Sequence, residues 1–300
     1  MAFGFIAEMN SQTINYNESL RFLALGDSYT IGQSVSESER WPVQLGEALR
    51  NEGVNVQEVR IIARTGWRTD NLMAAIEDAD LTPSYNLVSL LIGVNNQFQG
   101  GSISTYEDEF EELLQTAIEL AGGDKSKVMV VSIPDYAYTP YGGGSTSISR
   151  EIDEFNAVNR AITSEYDVAY HNITPISRRG LSETDLVADD DLHPSGKQYT
   201  LWVGQIMDDI RFSDDSSTGK KPLASLAGFD GRNLRLDTPV RAHLKIFNIE
   251  GKLIFMHNDL APQQKHVFNL SDLKSGLYVV KIESNNRMIA SGKILLGGTH

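Results

Sequence analysis

Cysteine is absent from all 300 residues. Disulfides, thiolate nucleophiles and cysteine-bound metal are therefore excluded, and no redox clue to the compartment remains. Long apolar runs are missing as well. No stretch approaches the roughly 20 apolar residues of a membrane helix, so membrane insertion is not expected. Positive charge is scarce, with 26 Lys and Arg against 40 Asp and Glu and a net of −14. The deficit belongs to residues 1–213, where 14 Lys and Arg meet 32 Asp and Glu for a net of −18; residues 214–300 carry 12 against 8, a net of +4. So acidic a larger part argues against nucleic acid or an anionic membrane as its target. No Gly-x-Ser-x-Gly elbow occurs, which argues against the usual α/β-hydrolase arrangement. The opening Met1–Glu8 lacks a basic start and its apolar run ends at Glu8, so it reads as a poor signal peptide. The expectation is that export does not use this stretch, or that a native leader has been trimmed.

What is present is an ordinary globular composition, 41% apolar and 22% charged. The length suits a catalytic domain of about 200 residues plus a smaller module. Short apolar runs at Phe22–Leu25, Val59–Ala63, Leu87–Ile92, Lys127–Ile133 and Val168–Tyr170 read as strands covered on both faces. Between them lie helical patterns at Trp41–Arg50, Asn71–Ala79, Ser149–Glu165 and Ser195–Arg211. A further helix runs to Ala121, with Ser104 and Glu107 as its capping box and Gly122-Gly123 as its stop. Such alternation predicts a parallel sheet between two layers of helices, with ligands at the carboxyl ends of the strands. After Arg211 the texture changes. Residues 213–222 have linker composition, and from about 223 to 300 short alternating runs such as His243–Ile249, Lys252–Phe255 and Leu277–Ile282 predict a small all-β sandwich. The expected division is an N-terminal extension over 1–19, a catalytic domain over 20–212, the linker, and the sandwich.

A serine nucleophile needs a base within reach, a group to orient the base, and donors for the oxyanion. Of the six histidines only His171 and His193 fall in the α/β part. His171 lies in a strand, where a structural role fits better; His193 precedes Pro194-Ser195-Gly196, in a loop before the last helix. Asp190, three residues earlier, is spaced to reach back to the imidazole, although Asp189-Asp190-Asp191 also reads as a plain acidic loop or a weak cation site. Ser28 follows the first strand in Gly26-Asp27-Ser28. Two more loops sit after neighbouring strands, one bearing Gly66 and one bearing Asn95. Alone, a glycine is usually a turn and an asparagine usually a cap. The combination is what carries weight.

These four blocks, Gly26-Asp27-Ser28, Gly66, Gly93-x-Asn95 and Asp190-x-x-His193, resemble those of the SGNH, or GDSL, hydrolases over roughly residues 20–212. The resemblance implies a flavodoxin-like α/β sandwich and a serine esterase. Ser28 would be the nucleophile, His193 the base and Asp190 its partner, with an oxyanion hole from the Ser28 and Gly66 N–H groups and the Asn95 amide. One departure is Asn96, where the family's third block usually has Asp. The stretch Leu244–Phe255 with Leu270–Ile282 resembles the C-terminal sorting domain of the Bacteroidetes type IX secretion system. That likeness implies an encounter with the secretion machinery and a secreted or cell-surface location. The usual basic ending is replaced by Leu295-Leu296-Gly297-Gly298-Thr299-His300; an accessory sandwich that binds carbohydrate or only packs on the enzyme is the other reading.

Asp27, Trp67 and Asn96, beside these blocks, and Tyr136, Tyr138 and Tyr141 in the loop Pro134–Gly144 are the expected substrate contacts. The loop reads as a mobile wall or lid, and Trp41 with Trp67 as an aromatic rim. No metal or organic cofactor is required by this chemistry. A short acyl group, such as acetyl, on a small alcohol or carbohydrate is the expected substrate. A thioesterase or lysophospholipase is the alternative, and a non-catalytic surface binding protein a more distant one.

Overall fold

The computed structural model describes residues 12–15, 18–213, 221–222, 227–238, 241–262, 264–284 and 287–297. Met1–Glu8, most of the linker and the last three residues lie outside them. The chain divides into two compact units, Met1–Ser213 and Asp214–His300.

In the first unit β1 (Thr13–Asn15) precedes β2 (Ser19–Gly26), β3 (Asn55–Ala63), β4 (Leu87–Leu91), β5 (Val128–Val131) and β6 (Ala169–His171). The last five form one parallel sheet in the order β3-β2-β4-β5-β6. Every residue of β4 and β5 is buried, as a central strand covered on both faces requires. The edge strand β3 is only half-buried. The helices are α1 (Ser28–Ile31), α2 (Trp41–Asn51), α3 (Thr69–Asp78), α4 (Val94–Phe98), α5 (Ile103–Leu120), α6 (Thr146–Glu165), α7 (Thr174–Ser177) and α8 (Gly196–Asp209). The chain leaves β2 toward β3 and then crosses back over β2 to β4. Connections thus diverge at the carboxyl ends of β2 and β4, which opens the crevice where such sheets bind ligands.

Several boundaries differ from the sequence reading. The cap of α5 is Ser102, whose extended backbone lets its hydroxyl accept the Thr105 N–H at 3.1 Å, rather than Ser104. Likewise α6 starts three residues earlier than expected, capped by Ser145. Trp41 is fully buried, its ring 6.1 Å from Phe22, so it is core rather than rim. Helix α8 stops at Asp209, and β7 (Arg211–Ser213) pairs in parallel with β1. Ile14 is buried in the same core, and the Arg211 N–H donates to the Gln12 carbonyl at 2.7 Å. The described part of the expected N-terminal extension is thus built into the first unit.

The second unit contains β8 (Lys221–Pro222), β9 (Ala227–Phe229), β10 (Asn233–Asp237), β11 (Ala242–Asn248), β12 (Leu253–Leu260), β13 (Lys265–Asn269), β14 (Gly276–Ser284) and β15 (Arg287–Leu296). They form a five-stranded sheet, β12-β11-β14-β15-β8, and a three-stranded one, β13-β10-β9. Leu234 and Leu236 of the smaller sheet share one core with Leu244, Ile246, Val280 and Ile282 of the larger. This is the all-β sandwich that the alternating pattern predicts.

Candidate active site

Ser28 stands where β2 gives way to α1. The strand ends on Gly26, where a Cβ would collide with the Thr30 side chain and the Leu91 carbonyl, so only glycine fits. Asp27 caps the short helix, its Oδ1 accepting the Tyr29 N–H at 3.0 Å. Its other oxygen, Oδ2, is buried and has no partner among the described residues. Burial pushes this carboxyl from 3.8 up to about 7, against the backbone N–H bonds that lower it. Asp27 is therefore fully buried at the start of the helix, and not where a substrate could touch it.

Two loops face Ser28 across the crevice. Gly66 holds a φ of +85°, a conformation that side-chain-bearing residues rarely adopt, and its carbonyl accepts the Gln99 amide at 3.1 Å. From α4, the Asn95 Nδ2 donates to the Trp67 carbonyl at 2.9 Å. Asn96 braces the same loop from the other side. Its Oδ1 accepts the Thr69 N–H at 3.2 Å and its Nδ2 donates to the Thr69 hydroxyl at 2.6 Å. The Thr69 hydroxyl in turn donates to Glu109. An amide suits this place because it can both donate and accept. Asn96 is buried and serves the loop, not a ligand. Arg68 adds a contact to the Gln99 Oε1 at 3.1 Å. The backbones bearing Gly66 and Asn95 are thus laced into one piece.

His193 sits on a loop pinched by the bridge between Val187 and Pro194 and by the Ala188 N–H donating to the His193 carbonyl at 2.8 Å. Asp191 turns the loop at a φ of +64°. Asp190 accepts four hydrogen bonds: Oδ1 from the Leu192 and His193 N–H groups at 3.0 and 2.9 Å, and Oδ2 from the Ser34 hydroxyl at 2.5 Å and His193 Nδ1 at 2.6 Å. Burial alone would raise this carboxyl, but the Ser34 hydroxyl and the accepted N–H bonds outweigh it and hold it at about 2. Ser34 is a contributor that sequence reasoning missed, and nothing local to Asp190 signals it. His171, by contrast, is buried in β6 with Nδ1 3.1 Å from Asp209, the structural role expected of it.

Ser28, Gly66, Asn95 and His193 all line one cavity of about 270 Å³, together with Tyr29, Thr65, Val94, Phe98, Gln99, Tyr136 and Leu192. Of the expected aromatic contacts only Tyr136 reaches this wall. Trp67 is half-buried against the core, and Tyr138 lies 6.0 Å beneath the Arg178 guanidinium. Tyr141 is exposed and meets the rings of Phe98 and Tyr136 at 6.4 and 6.5 Å. Phe98 itself was missed; an apolar residue three places past Asn95, on a polar helical turn, is the signal that marks it. The loop Pro134–Gly144 is pinned rather than mobile. Buried Asp135 accepts the Ala137 N–H, the Ser149 hydroxyl and the Arg178 guanidinium at 3.0, 2.6 and 2.9 Å, and the Tyr141 N–H donates to the Asp191 carbonyl at 3.0 Å.

Comparison with known proteins adds to this geometry. Residues 24–201 match the profile of the GDSL-like lipase/acylhydrolase family, and residues 231–296 match that of the secretion system C-terminal sorting domain. No curated protein matches the chain. Among solved structures, a lipolytic protein of the G-D-S-L family from Veillonella parvula is 18% identical, with a TM-score of 0.51 over 63% of this chain and 97% of that one. An acetylxylan esterase from Geobacillus stearothermophilus is 18% identical, with a TM-score of 0.52 over 64% of this chain and 94% of its own. At these identities the likeness is one of fold.

Proposed function

The chain belongs to the GDSL-like lipase/acylhydrolase family and is a carboxylic ester hydrolase; on that premise we propose that it works through Ser28, His193 and Asp190 on short acyl esters. One observation carries the assignment: the hydrogen-bonded Asp190–His193 pair opens onto the same cavity as Ser28, Gly66 and Asn95. In this mechanism the Ser28 hydroxyl attacks the acyl carbon while His193 Nε2 takes its proton. The Asp190 carboxylate holds the Nδ1 proton and stabilises the imidazolium that forms. Negative charge on the former carbonyl oxygen is met by the Ser28 and Gly66 N–H groups and the second hydrogen of the Asn95 amide, its first being held by the Trp67 carbonyl. Collapse expels the alcohol, protonated by His193, and water then releases the acid by the same route.

The cavity's modest volume supports a short acyl group such as acetyl. An acetylxylan esterase sharing the fold makes acetylated carbohydrate the first substrate class to try. We infer that the sandwich unit, matched by the sorting-domain profile, directs the enzyme to the cell surface or medium through the type IX machinery. The test is a panel of p-nitrophenyl esters of rising chain length, acyl-CoA and acetylated xylan, run on wild type and Ser28→Ala together. Turnover of the short esters by wild type alone is expected. Full activity in Ser28→Ala would overturn the assignment, and preference for acyl-CoA would replace the esterase by a thioesterase.

A further inference from the structure

Phe98 and Tyr141 are 53% and 57% exposed, and neither belongs to the buried core, which they touch at Tyr136. Yet their rings lie 6.4 Å apart and each meets Tyr136, at 6.1 and 6.5 Å, so three aromatic rings form one cluster beside the nucleophile's cavity. A cluster of this kind next to a binding cavity marks a contact surface. Its backbone is also held in register with the catalytic loops. Phe98 ends α4, the helix that carries Asn95, and the Tyr141 N–H is bonded to the carbonyl of Asp191, two residues from His193.

We propose that this cluster is the leaving-group subsite, a platform on which a pyranose ring of an O-acylated carbohydrate stacks. The proposal rests on the esterase reading above. Sugar rings present C–H bonds of partial positive charge, which suit the negative faces of aromatic rings. A bare acyl chain gains from apolar surface only where water is excluded, at about 25 cal/mol per Å². Rings more than half exposed do not exclude it, whereas a hydroxylated ring can keep its outer face solvated. Polar groups for its hydroxyls border the cluster: the Gln97 amide, which accepts the Tyr136 hydroxyl at 3.0 Å, and Gln99 and Thr65 on the cavity wall. Charge points the same way. With 14 Lys and Arg against 32 Asp and Glu in residues 1–213, a polyphosphorylated leaving group is repelled and a neutral sugar is not.

The experiment compares full-length wild type, Phe98→Ala and Tyr141→Ala on acetylated xylotriose, ethyl acetate and ethyl octanoate. Each variant is expected to lower the ratio of kcat/KM for the sugar ester to that for ethyl acetate by about 3- to 10-fold, mainly through KM. An unchanged ratio overturns the platform. So does a loss confined to ethyl octanoate, which would make these rings an acyl wall. Calorimetric titration with unesterified xylotriose separates this question from the chemistry. Binding by wild type that weakens several-fold in both variants supports the platform even if none of the esters is hydrolysed, a result that would sink the esterase reading alone. Equal binding by all three proteins refutes the platform.

Discussion

Replacing Asp27 by Asn is expected to stabilise the first unit at neutral and alkaline pH and to leave it nearly unchanged in acid. The carboxyl is fully buried, one oxygen capping α1 and the other without a partner among the described residues. Burial raises its pKa from 3.8 to about 7, so the folded state holds this proton more tightly than the unfolded chain. The sign follows. Below pH 3.8 both states are protonated and the full contribution is present. Between there and about 7 the unfolded state ionises first, and stability falls. Above that range the loss is complete, at most ~4 kcal/mol. Asn retains the capping oxygen and carries no charge, and its amide replaces a protonated carboxyl that in acid is itself an unpartnered donor, so the gain of Asp27→Asn over wild type should grow from near zero at pH 4 to a few kcal/mol at pH 8. All three tryptophans, Trp41, Trp67 and Trp202, lie in the first unit, so fluorescence-detected urea unfolding of the intact protein reports that unit alone. Titrations common to both proteins cancel in the difference. A gain that is the same at pH 4 and pH 8, or a variant less stable than wild type at pH 8, would show that Asp27 carries no buried-charge cost.

Asn95→Ala should lower kcat by roughly 10²–10³ through loss of one oxyanion donor; an unchanged kcat would reduce Asn95 to a brace for the Trp67 carbonyl. Ser34→Ala removes one of the four hydrogen bonds that hold the Asp190 carboxylate and should lower kcat about tenfold, an effect of the size of one charge-assisted hydrogen bond. Because Asp190 is held at about 2, its protonation should leave no inflection of its own in the wild-type activity profile above about pH 4. A second acid-side inflection appearing in Ser34→Ala but not in Ser34→Thr would distinguish positioning from general destabilisation. Truncation after Ser213 should leave an active enzyme, whereas truncation after Ile210 removes β7 and the partner of β1 and should lower the thermal midpoint measurably. Equal midpoints for the two truncations would mean that the β1–β7 pair contributes nothing.

Much of the site is legible in the chain because its parts are local. Asp190 reaches His193 across three residues, and a loop of that length closes without long-range help. Ser28 follows Gly26 at the end of an apolar run, and strand-helix alternation alone places that end on the ligand edge. The sandwich is equally plain, since a period of two over short runs has few other solutions. Residues whose role depends on distant partners were not legible. Asn96 looks like a ligand contact until Thr69, 27 residues away in sequence, is seen to take both ends of its amide. Tyr138 looks like a substrate contact and Trp67 like a rim residue until Arg178 and the core cover them. The loop Pro134–Gly144, rich in glycine, reads as mobile, but Arg178 and Ser149 pin its buried Asp135.

The sequence by itself determined the fold class and the candidate residues: Ser28 at the end of the first sheet strand, and Asp190 and His193 at a spacing that closes locally, with no cysteine or elbow motif to compete. Only the tertiary structure decided which aromatic rings face the cavity, that Ser34 completes the set of donors around Asp190, and that Asp27 is fully buried rather than open to substrate. The physical reason is range. Backbone propensity and short loops act over a few residues, whereas burial is set by whatever packs above a side chain, and here those neighbours come from strands and helices far apart in the chain.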